Sequence, residues 1–515
     1  MDGEDLDPPA YGYLDDDDDD DYYYYDDDLM EEDVEDDQSV SDESVDGEKD
    51  YPYLNPPPYG YPDDGERPPF VLIEPNAYFA NRDNATTASC KIRDLGGTFK
   101  VTFCTAHPPL VSYLCVHATA FDHTEFAVEP HIIATETNGS LILLRFVIGR
   151  DPSDMMSIAR RQYFIYDASV PSLKHLPHPG FHIFSEHAVA IVRKCNKRSQ
   201  GSRNDHHYSG GFILRPHGSS QEDHNCSNSN CDYVLAAHSG FCQQSSELCL
   251  YQSDTETWSM LPVVLKSYTR TSHRTSKTLT IGGDKGTVAW VDLSRNILLC
   301  DVLDKNPNLR SLELPPPILP TDAQDLGTPR SVRDIALLGS FIKYVDLQPF
   351  PLSSTSHAWK AAIWSIKTGS SSPKDWHMDY LLDSTEIPES SLPKLRVEED
   401  SAQPTLSTLH IGLPLLSLLD DGIVYFLTKI DYRSISHVAW VLAVDMRNKT
   451  VQKVAEFSSR RTVGLALGYI ASRISNYLKG APGAKQNMKR PGISILRSSS
   501  KKHLGNCMVI NLGGP

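Results

Sequence analysis

The stretch Tyr163-Phe-Ile-Tyr-Asp-Ala-Ser-Val-Pro-Ser-Leu-Lys-His-Leu-Pro177 sets a pattern that recurs along the chain. Four apolar residues lead to Asp167, and leucines follow six and nine residues after that aspartate, with a proline behind them. This spacing predicts a β-hairpin, because an apolar strand ends at a turn former and a second strand returns its apolar face to the same core.

Further copies share the strand, the turn residue and the apolar positions: residues 248–251 with Gln252, Trp258 and Leu261; residues 441–444 with Asp445, Val451 and Val454; and looser copies at residues 297–300 and 363–366. A matching strand precedes two copies, at residues 286–290 and 422–426. Units of this kind are typical of β-propeller blades. Residues 70–456 would hold roughly six to eight blades on the usual period, and a pair of β-sandwich domains is the alternative.

Apolar runs separated by Pro, Gly, Asn and Asp fill residues 68–456, and helical periodicity is almost absent there. The sequence therefore predicts an all-β, propeller-like repeat domain over these residues. Two stretches rich in small polar residues, about 196–230 and 384–405, are predicted to be long surface loops. Trp258 and Trp290 occupy apolar positions of the repeat, so we expect both in the core.

Charge is segregated along the 515 residues, whose net charge is −20. Residues 1–67 contain 28 Asp and Glu against Lys49 and Arg67, together with ten tyrosines. Such a tract has too few aliphatic residues to fold, so we predict a disordered acidic arm that serves as a solubilising segment or as an interaction tail.

The opposite arm is basic, with ten Lys and Arg and no Asp or Glu after Glu456. Val463, Leu467, Ile470, Ile474 and Leu478 follow one another at helical spacing, which predicts an amphipathic helix over residues 457–480. Residues 481–515 are predicted to form a basic flexible tail.

The ten cysteines are scattered, and four of them lie in apolar runs, at positions 104, 115, 249 and 300. That usage favours a reducing compartment. No signal peptide pattern and no run long enough to span a membrane is found; the longest apolar run, residues 409–419, is too short and contains Pro414. We therefore expect a protein of the cytoplasm, the nucleus or both, and not a secreted one.

The block Gly286-Thr-Val-Ala-Trp-Val-Asp-Leu-Ser-Arg-Asn-Ile-Leu-Leu-Cys-Asp301, followed by Leu312-Glu-Leu-Pro-Pro-Pro317, resembles the plant family called domain of unknown function 1618, which is expanded in grasses. Residues 333–335 and 342–345 resemble the next element of that family, and residues 69–72 resemble its usual start. The resemblance implies a kelch-like or F-box-associated β-propeller in a plant cell. It implies no catalytic residues, and no F-box helical pattern precedes the repeat.

Two patterns suggest chemistry but do not meet its requirements. Several potential zinc ligands crowd one loop, but their spacing matches no zinc finger or ribbon: His217, His224, Cys226, Cys231 and Cys242. Residues 282–287 contain a glycine-rich Gly-Gly-Asp-Lys-Gly-Thr sequence, which lacks the phosphate-loop frame and leads into a strand, so we interpret it as a hairpin turn. We therefore predict no metal, no cofactor and no catalytic residues.

Lys489 and Arg490, followed by Lys501 and Lys502, resemble a two-part nuclear import signal, although a solvated basic tail has the same composition. These four residues are the candidate contacts for a partner or for nuclear import.

Repeats without a catalytic frame favour a non-enzymatic protein-binding scaffold. One alternative is an enzyme with its active site at the mouth of the propeller channel, where we would expect several Asp, Glu or His with perturbed pKa values. Another is a nuclear protein that binds nucleic acid through its basic C-terminal arm.

Overall fold

The computed structural model describes residues 52–61, 67–92, 96–180, 182, 184–194, 231–242, 245–265, 273–318, 328–353, 356–396, 402–431, 438–457 and 468–478. Their regular structure is almost entirely β-strand, and one short helix, α1 (Pro329–Val332), precedes a strand in the second half of the chain. The predicted all-β class is confirmed.

The described strands group into six blades, and blades 2 to 6 each consist of four consecutive antiparallel strands. The outermost strands of blades 3 and 4 also pair with each other in parallel, which joins these two blades into one eight-stranded sheet. Blade 1 begins with β1 (Val71–Ile73), β2 (Tyr78–Phe79), β3 (Ala88–Ile92), β4 (Gly97–Cys104) and β5 (Val111–Ala118). Blade 2 has β6 (Phe126–Thr135), β7 (Leu141–Ile148), β8 (Arg161–Asp167) and β9 (Ser172–His175). Blade 3 has β10 (Val189–Lys194), β11 (Asp232–Cys242), β12 (Ser245–Gln252) and β13 (Thr257–Leu265).

The second half of the chain repeats the same arrangement. Blade 4 has β14 (Lys277–Gly282), β15 (Thr287–Asp292), β16 (Asn296–Asp301) and β17 (Asn308–Glu313). Blade 5 has β18 (Arg333–Leu338), β19 (Phe341–Ser353), β20 (Ser356–Lys367) and β21 (His377–Asp383). Blade 6 has β22 (His410–Leu416), β23 (Ile423–Lys429), β24 (Ala439–Asp445) and β25 (Thr450–Phe457), and β26 (Ile470–Ser472) follows it.

The chain closes the ring by pairing its last described strand with its first. β26 lies antiparallel to β1, with Val71 opposite Ser472 and Ile73 opposite Ile470. On its other side β1 pairs with β5, so the blade 1 sheet has the order β26-β1-β5-β4-β3. β26 is therefore the innermost strand of a blade whose other strands come from the start of the domain.

The innermost strands β6, β10, β14, β18, β22 and β26 contact one another in that order. Arg473, just after β26, connects blade 1 to blades 2 and 6. Its guanidinium donates to Asn138 Oδ1 of blade 2 at 2.7 Å and to the Leu418 carbonyl of blade 6 at 2.5 Å. We call the face where the innermost strands begin the top face, and the face where they end the bottom face. The arrangement is a β-propeller and not two stacked sandwich sheets.

Apolar cores lie between neighbouring blades. The largest joins blades 5, 6 and 1 and includes Phe426 and Trp359. Between blades 3 and 4, Trp290 is fully buried and its indole Nε1–H donates to the Ala188 carbonyl at 2.6 Å. Trp258 is only half-buried and stacks on Phe184 between blades 2 and 3. The core prediction is confirmed for Trp290 and is too strong for Trp258.

Each copy of the sequence repeat is the hairpin between the third and fourth strands of a blade. Asp167 ends β8, and its Oδ1 accepts hydrogen bonds from the N–H of Ser169 and from the Ser140 hydroxyl. In blade 6, Asp445 Oδ1 accepts from the N–H groups of Arg447 and Asn448. The aspartate thus fixes the reversal that the spacing predicted.

The predicted amphipathic helix over residues 457–480 is wrong for the part that the structure describes. Residues 470–472 form strand β26, and Ile474–Asn476 form a single 3₁₀ turn. The apolar spacing reflects burial in one core, because Ile470, Ile474 and Leu478 all pack against the core between blades 1 and 2. Tertiary pairing with β1 outweighs the helical periodicity.

The predicted arm boundary at residue 67 also needs correction. Residues 52–61 pack against blade 1, where Tyr53 is buried, although residues 1–51 lie outside the described part. The predicted loop at 384–405 contains the 3₁₀ turns Ser384–Glu386 and Glu389–Ser391 and buries Ile387 and Leu395, so it is not wholly at the surface. The whole of the 196–230 loop and the basic tail at 481–515 lie outside the described residues.

Among the residues that the structure describes, no helix is long and apolar enough to span a membrane.

Candidate functional site

An open groove lies on the bottom face between blades 5 and 6, and we call it the blade 5–6 groove. Its volume is about 1010 Å³. It is formed by the β18–β19 turn, the ends of β19, β20 and β21, the β22–β23 turn and the β24–β25 turn. Its walls combine charged and apolar side chains, among them Phe341, Lys343, His377, Asp379, Leu419, Asp420, Asp421 and Arg447.

The floor of the groove is an ion pair that lies against the blade 5 sheet. Lys343 on β19 is only 8% exposed, and its Nζ lies 2.7 Å from Asp379 Oδ2 on β21. Ser365 on β20 donates its hydroxyl to the other oxygen of Asp379 at 2.9 Å. Lys343 stands opposite Ser365 in the β19–β20 register, which brings these side chains together. Each partner neutralises a charge that burial alone would penalise.

The blade 6 wall of the groove carries Arg447. Its guanidinium lies 2.8 Å from Asp421 Oδ1, donates to the Tyr380 hydroxyl at 2.8 Å, and lies 5.5 Å from the centre of the Tyr380 ring. The hydrogen bond to Tyr380 raises the pKa of Arg447. Arg447 is therefore a fixed cation that links blade 6 to the outer strand of blade 5.

The turn aspartate of the repeat positions this arginine. Asp445 is the last residue of β24 and holds the N–H of Arg447 at 3.0 Å. Burial opposes ionisation of Asp445, but the N–H groups of Asn448 and Arg447 and the amides of Asn448 and Gln452 hold the pKa of this carboxyl below its usual value. The residue that the sequence predicted as a turn former thus also places a functional side chain.

Apolar side chains stand exposed at the edge of the groove. Leu419 is 65% exposed and Phe341 is 37% exposed. Leu419 lies in the β22–β23 turn, where the Ser417 hydroxyl accepts from the N–H groups of Leu419 and Asp420. The turn therefore directs a large apolar side chain into solvent beside Asp420 and Asp421, and the combination suits binding of a polypeptide.

The top face contains two pairs of histidines near the starts of the innermost strands. His131 and His187 lie close to Arg145 and Arg330, while His238 and His273 have ring centres 5.9 Å apart between blades 3 and 4. Burial is the leading cause that lowers all four pKa values, to about 3 for His187 and about 4 for His238. These histidines are uncharged at neutral pH.

The structure places some of the sequence candidates and not others. Lys489, Arg490, Lys501 and Lys502 lie outside the described residues, as do most of the potential zinc ligands. In the described ranges no group of three His, Cys, Asp or Glu is arranged to hold a metal ion. Residues 282–287 form the β14–β15 hairpin turn, in which Gly282 and Gly286 adopt positive φ angles of 80° and 61°. The hairpin interpretation is confirmed.

The groove itself was missed by sequence reasoning. Its charged residues come from four hairpins that are far apart in the chain, so no local motif marks them. One signal was present: the apolar run at residues 409–419 ends in Leu419 and is followed by two aspartates. A large apolar residue in a turn does not contribute to the core, so its presence there indicates a surface contact.

Comparison with known proteins identifies one family. Residues 290–425, about a quarter of the chain, match the family model described as Protein of unknown function (DUF1618), which confirms the resemblance stated from the sequence. The matched segment runs from β15 to β23, and all the lining residues of the groove except Arg447 lie within it. No curated protein matches the chain.

Solved structures that align with the chain include three with low similarity. A Synechocystis apocarotenoid oxygenase is 10% identical, and the alignment covers 79% of this chain and 94% of that one with a TM-score of 0.24. The β-propeller domain of Myceliophteria thermophila Cps50 (Swd1) is 8% identical, with coverage of 64% and 99% and a TM-score of 0.22. A subtype N11 neuraminidase-like protein of A/flat-faced bat/Peru/033/2010 (H18N11) is 10% identical, with coverage of 75% and 96% and a TM-score of 0.21. The fold assignment therefore rests on the strand order.

Proposed function

We propose that this propeller, whose blades 4 to 6 contain the DUF1618 segment, is a non-enzymatic scaffold that binds a partner protein in the blade 5–6 groove. The observation that carries the proposal is the exposure of Leu419 and Phe341 beside ion pairs that are already formed. We assign the protein to the cytoplasm or nucleus, where the buried thiols of Cys104, Cys115, Cys249 and Cys300 remain free.

The composition of the groove supports recognition of a polypeptide. A protein interface typically has an apolar centre surrounded by polar groups. Here Leu419 and Phe341 offer the apolar contact, and Asp375 and Asp420 offer exposed acceptors around it. Because Lys343 and Asp379 neutralise each other, a partner gains specificity from the groove without having to bury an isolated charge.

The test compares two matched substitutions of exposed apolar residues. Leu419→Asp removes the apolar contact in the groove, whereas Val170→Asp changes a residue that is 44% exposed in the β8–β9 turn, away from the groove. The tagged full chain and both variants are used to capture proteins from cells that express the natural protein, and bound proteins are quantified. We expect Val170→Asp to retain the partners of the unchanged chain and Leu419→Asp to lose at least one of them.

Identical sets of partners for all three proteins would contradict the groove as the binding site. Far-ultraviolet circular dichroism and melting curves serve as the control for folding of each variant. A purified partner would then be titrated against the same variants, and the loss of affinity should appear only with Leu419→Asp.

An enzyme with its active site on the top face is the rival, and the two histidine pairs are the observation that favours it. An uncharged histidine is able to accept a proton from a substrate. If the intact chain shows an activity, loss of that activity in His131→Gln but not in Leu419→Asp would support the rival. Nucleic-acid binding through the basic C-terminal arm stays a prediction.

A further inference from the structure

A segment of the chain itself occupies a cleft on blade 1. Residues 52–61, which we call the strap, lie against the blade 1 cleft, defined by Tyr78, Arg82, Thr105 and Tyr113. The Tyr113 hydroxyl lies 2.6 Å from the Tyr59 carbonyl oxygen and 3.0 Å from that of Pro57. The cleft thus binds the backbone carbonyls of a proline-rich segment through a tyrosine hydroxyl, as aromatic clefts bind polyproline ligands.

Side chains add a second set of contacts. The Arg82 guanidinium lies 4.9 Å from the centre of the Tyr61 ring and also donates to the Pro57 carbonyl. The Tyr59 ring meets the Tyr113 ring edge to face, with centroids 6.1 Å apart. Tyr59 and Tyr61 therefore have defined positions in the cleft.

Gly60 is the most restrictive position of the strap. Its φ angle is +73°, and a Cβ atom placed there would come within 2.9 Å of the Thr105 carbonyl oxygen. The neighbouring atom is backbone, so it has little freedom to move away. Glycine is therefore required between Tyr59 and Tyr61.

The sequence of residues 56–61, which lie in the cleft, occurs in a second copy near the start of the chain. Pro56-Pro-Pro-Tyr-Gly-Tyr61 in the strap recurs as Pro8-Pro-Ala-Tyr-Gly-Tyr13, and two aspartates follow each copy after one intervening residue. The copies differ only at Pro58, where the upstream copy has Ala10, and Pro58 is exposed. Every residue of the strap that the cleft contacts through the groups described above is the same in the upstream copy.

We propose that the blade 1 cleft is a receptor for the sequence Pro-Pro-X-Tyr-Gly-Tyr, and that residues 8–13 of the same chain are its second ligand, which exchanges with residues 56–61. The tract between the two copies has an expected span of roughly 35 to 40 Å on the ~5–6 Å × √n estimate, so both copies reach one cleft. This role is independent of the blade 5–6 groove.

The two ligands differ in strength. Tyr53, three residues before Pro56, is buried, and its hydroxyl accepts a hydrogen bond from Asn76 Nδ2 at 2.9 Å. The corresponding residue of the upstream copy is Asp5. The strap is therefore the resident ligand, and residues 8–13 occupy the cleft when the strap is weakened or displaced. Exchange frees residues 56–61 and closes the acidic tract into a loop on blade 1.

The test uses a fluorescein-labelled peptide of residues 5–16 and fluorescence anisotropy with the full chain. The peptide is titrated into the unchanged chain, into Gly60→Ala and into Gly12→Ala/Gly60→Ala. Gly60→Ala weakens binding of the strap without altering the cleft, and Gly12→Ala in the chain also weakens binding of residues 8–13, which compete with the peptide. We expect affinity to rise in that order. The same peptide with Gly12→Ala should bind the double variant about tenfold more weakly, since a left-handed backbone conformation is costly for alanine.

Equal affinity of the peptide for the Gly60→Ala and double variants would contradict the exchange. Equal affinity of the double variant for the peptides with and without Gly12→Ala would contradict the cleft as the receptor. Gly180→Ala is the matched control, because Gly180 has a φ angle of +70° but no atom within 4 Å of the added Cβ. If Gly60→Ala does not fold, Tyr61→Ser is used instead of Gly60→Ala in the same titrations, because it weakens the strap by removing the contact with Arg82.

Discussion

The two faces of the propeller differ in how far their ionisable side chains are exposed to solvent. On the top face, burial lowers the pKa of His187 to about 3 and that of His238 to about 4, so both are uncharged. On the bottom face, the carboxylates of Asp379 and Asp421 are paired with Lys343 and Arg447 around an open groove. The top face also contains largely buried ion pairs, among them Arg333 with Asp346 and Arg145 with Glu186. The two faces therefore differ in exposure, because Asp421 and Arg447 of the bottom face line an open groove and are about half exposed.

Removal of a large buried side chain should destabilise the top face most strongly. Trp290 is fully buried and its ring centre lies 5.8 Å from that of His238. Trp290→Ala should lower the free energy of unfolding by about 3 to 5 kcal/mol, because it leaves a large cavity. Urea denaturation measures the loss. Trp258→Ala, at a half-buried site, should cost clearly less, and equal losses would contradict the distinction between the two sites.

The bottom face should be most sensitive at its ion-paired floor. Asp379→Ala leaves Lys343 buried without its closest partner and should cost about 3 kcal/mol, near the lower end of the range for buried pairs since the Asp379 side chain is 17% exposed. The double variant Lys343→Met/Asp379→Leu should regain most of that loss in the same denaturation assay. Failure of the double variant to recover stability would show that the pair is not the source of the effect.

Acid should lower the free energy of unfolding through the buried histidines of the top face. An unfolded histidine has a pKa near 6.5, whereas that of His238 in the folded protein is about 4, so the unfolded chain binds more protons between these values. The stability that depends on neutral His238 is therefore complete above about pH 6.5 and is lost as pH falls toward 4. At pH 5 the loss is about 2 kcal/mol.

Melting and denaturation curves between pH 7 and pH 5 measure this loss. His238→Gln should flatten the dependence over that interval, with His273 still contributing in the same direction because burial also lowers its pKa. An unchanged slope in the variant would show that His238 is not a source of the acid sensitivity.

The smallest expected effect concerns the groove itself. Leu419→Asp should change the free energy of unfolding by no more than about 0.5 kcal/mol, because Leu419 is 65% exposed. Stability unchanged by a substitution that abolishes partner binding would separate the binding surface from the structural core. A loss of several kcal/mol would instead place Leu419 in the packing of blades 5 and 6.

Local patterns in the sequence predicted the parts of the fold that depend on local interactions. The spacing around Asp167 and Asp445 identified the hairpins of the third and fourth strands, since a turn and its two strands lie within about fifteen residues. The same approach failed at residues 470–478, where pairing with β1 across four hundred residues decides the structure. The strap was missed for the same reason, because its partner Tyr113 lies in a later strand.

The candidate groove shows the same division between local and distant information. Asp445 was recognised as a turn residue, but its role in positioning Arg447 depends on Tyr380 and Asp421, which belong to other hairpins. Lys343 and Asp379 are inconspicuous in the sequence, and only the sheet register brings them together. Surface chemistry built from several blades has no signature within any one of them.

The closing strand β26 has a consequence for synthesis of the protein. Because β1 obtains its antiparallel partner only from residues 470–472, blade 1 cannot be completed while the ribosome is still making blades 2 to 6. Until then the apolar surface that Ile474 and Leu478 later cover stays exposed. A nascent or prematurely terminated chain is therefore an open ring with unpaired edges, a form that chaperones bind and that aggregates readily. The pairing of β26 with β1 makes translation of residues 470–472 a condition for closing the ring.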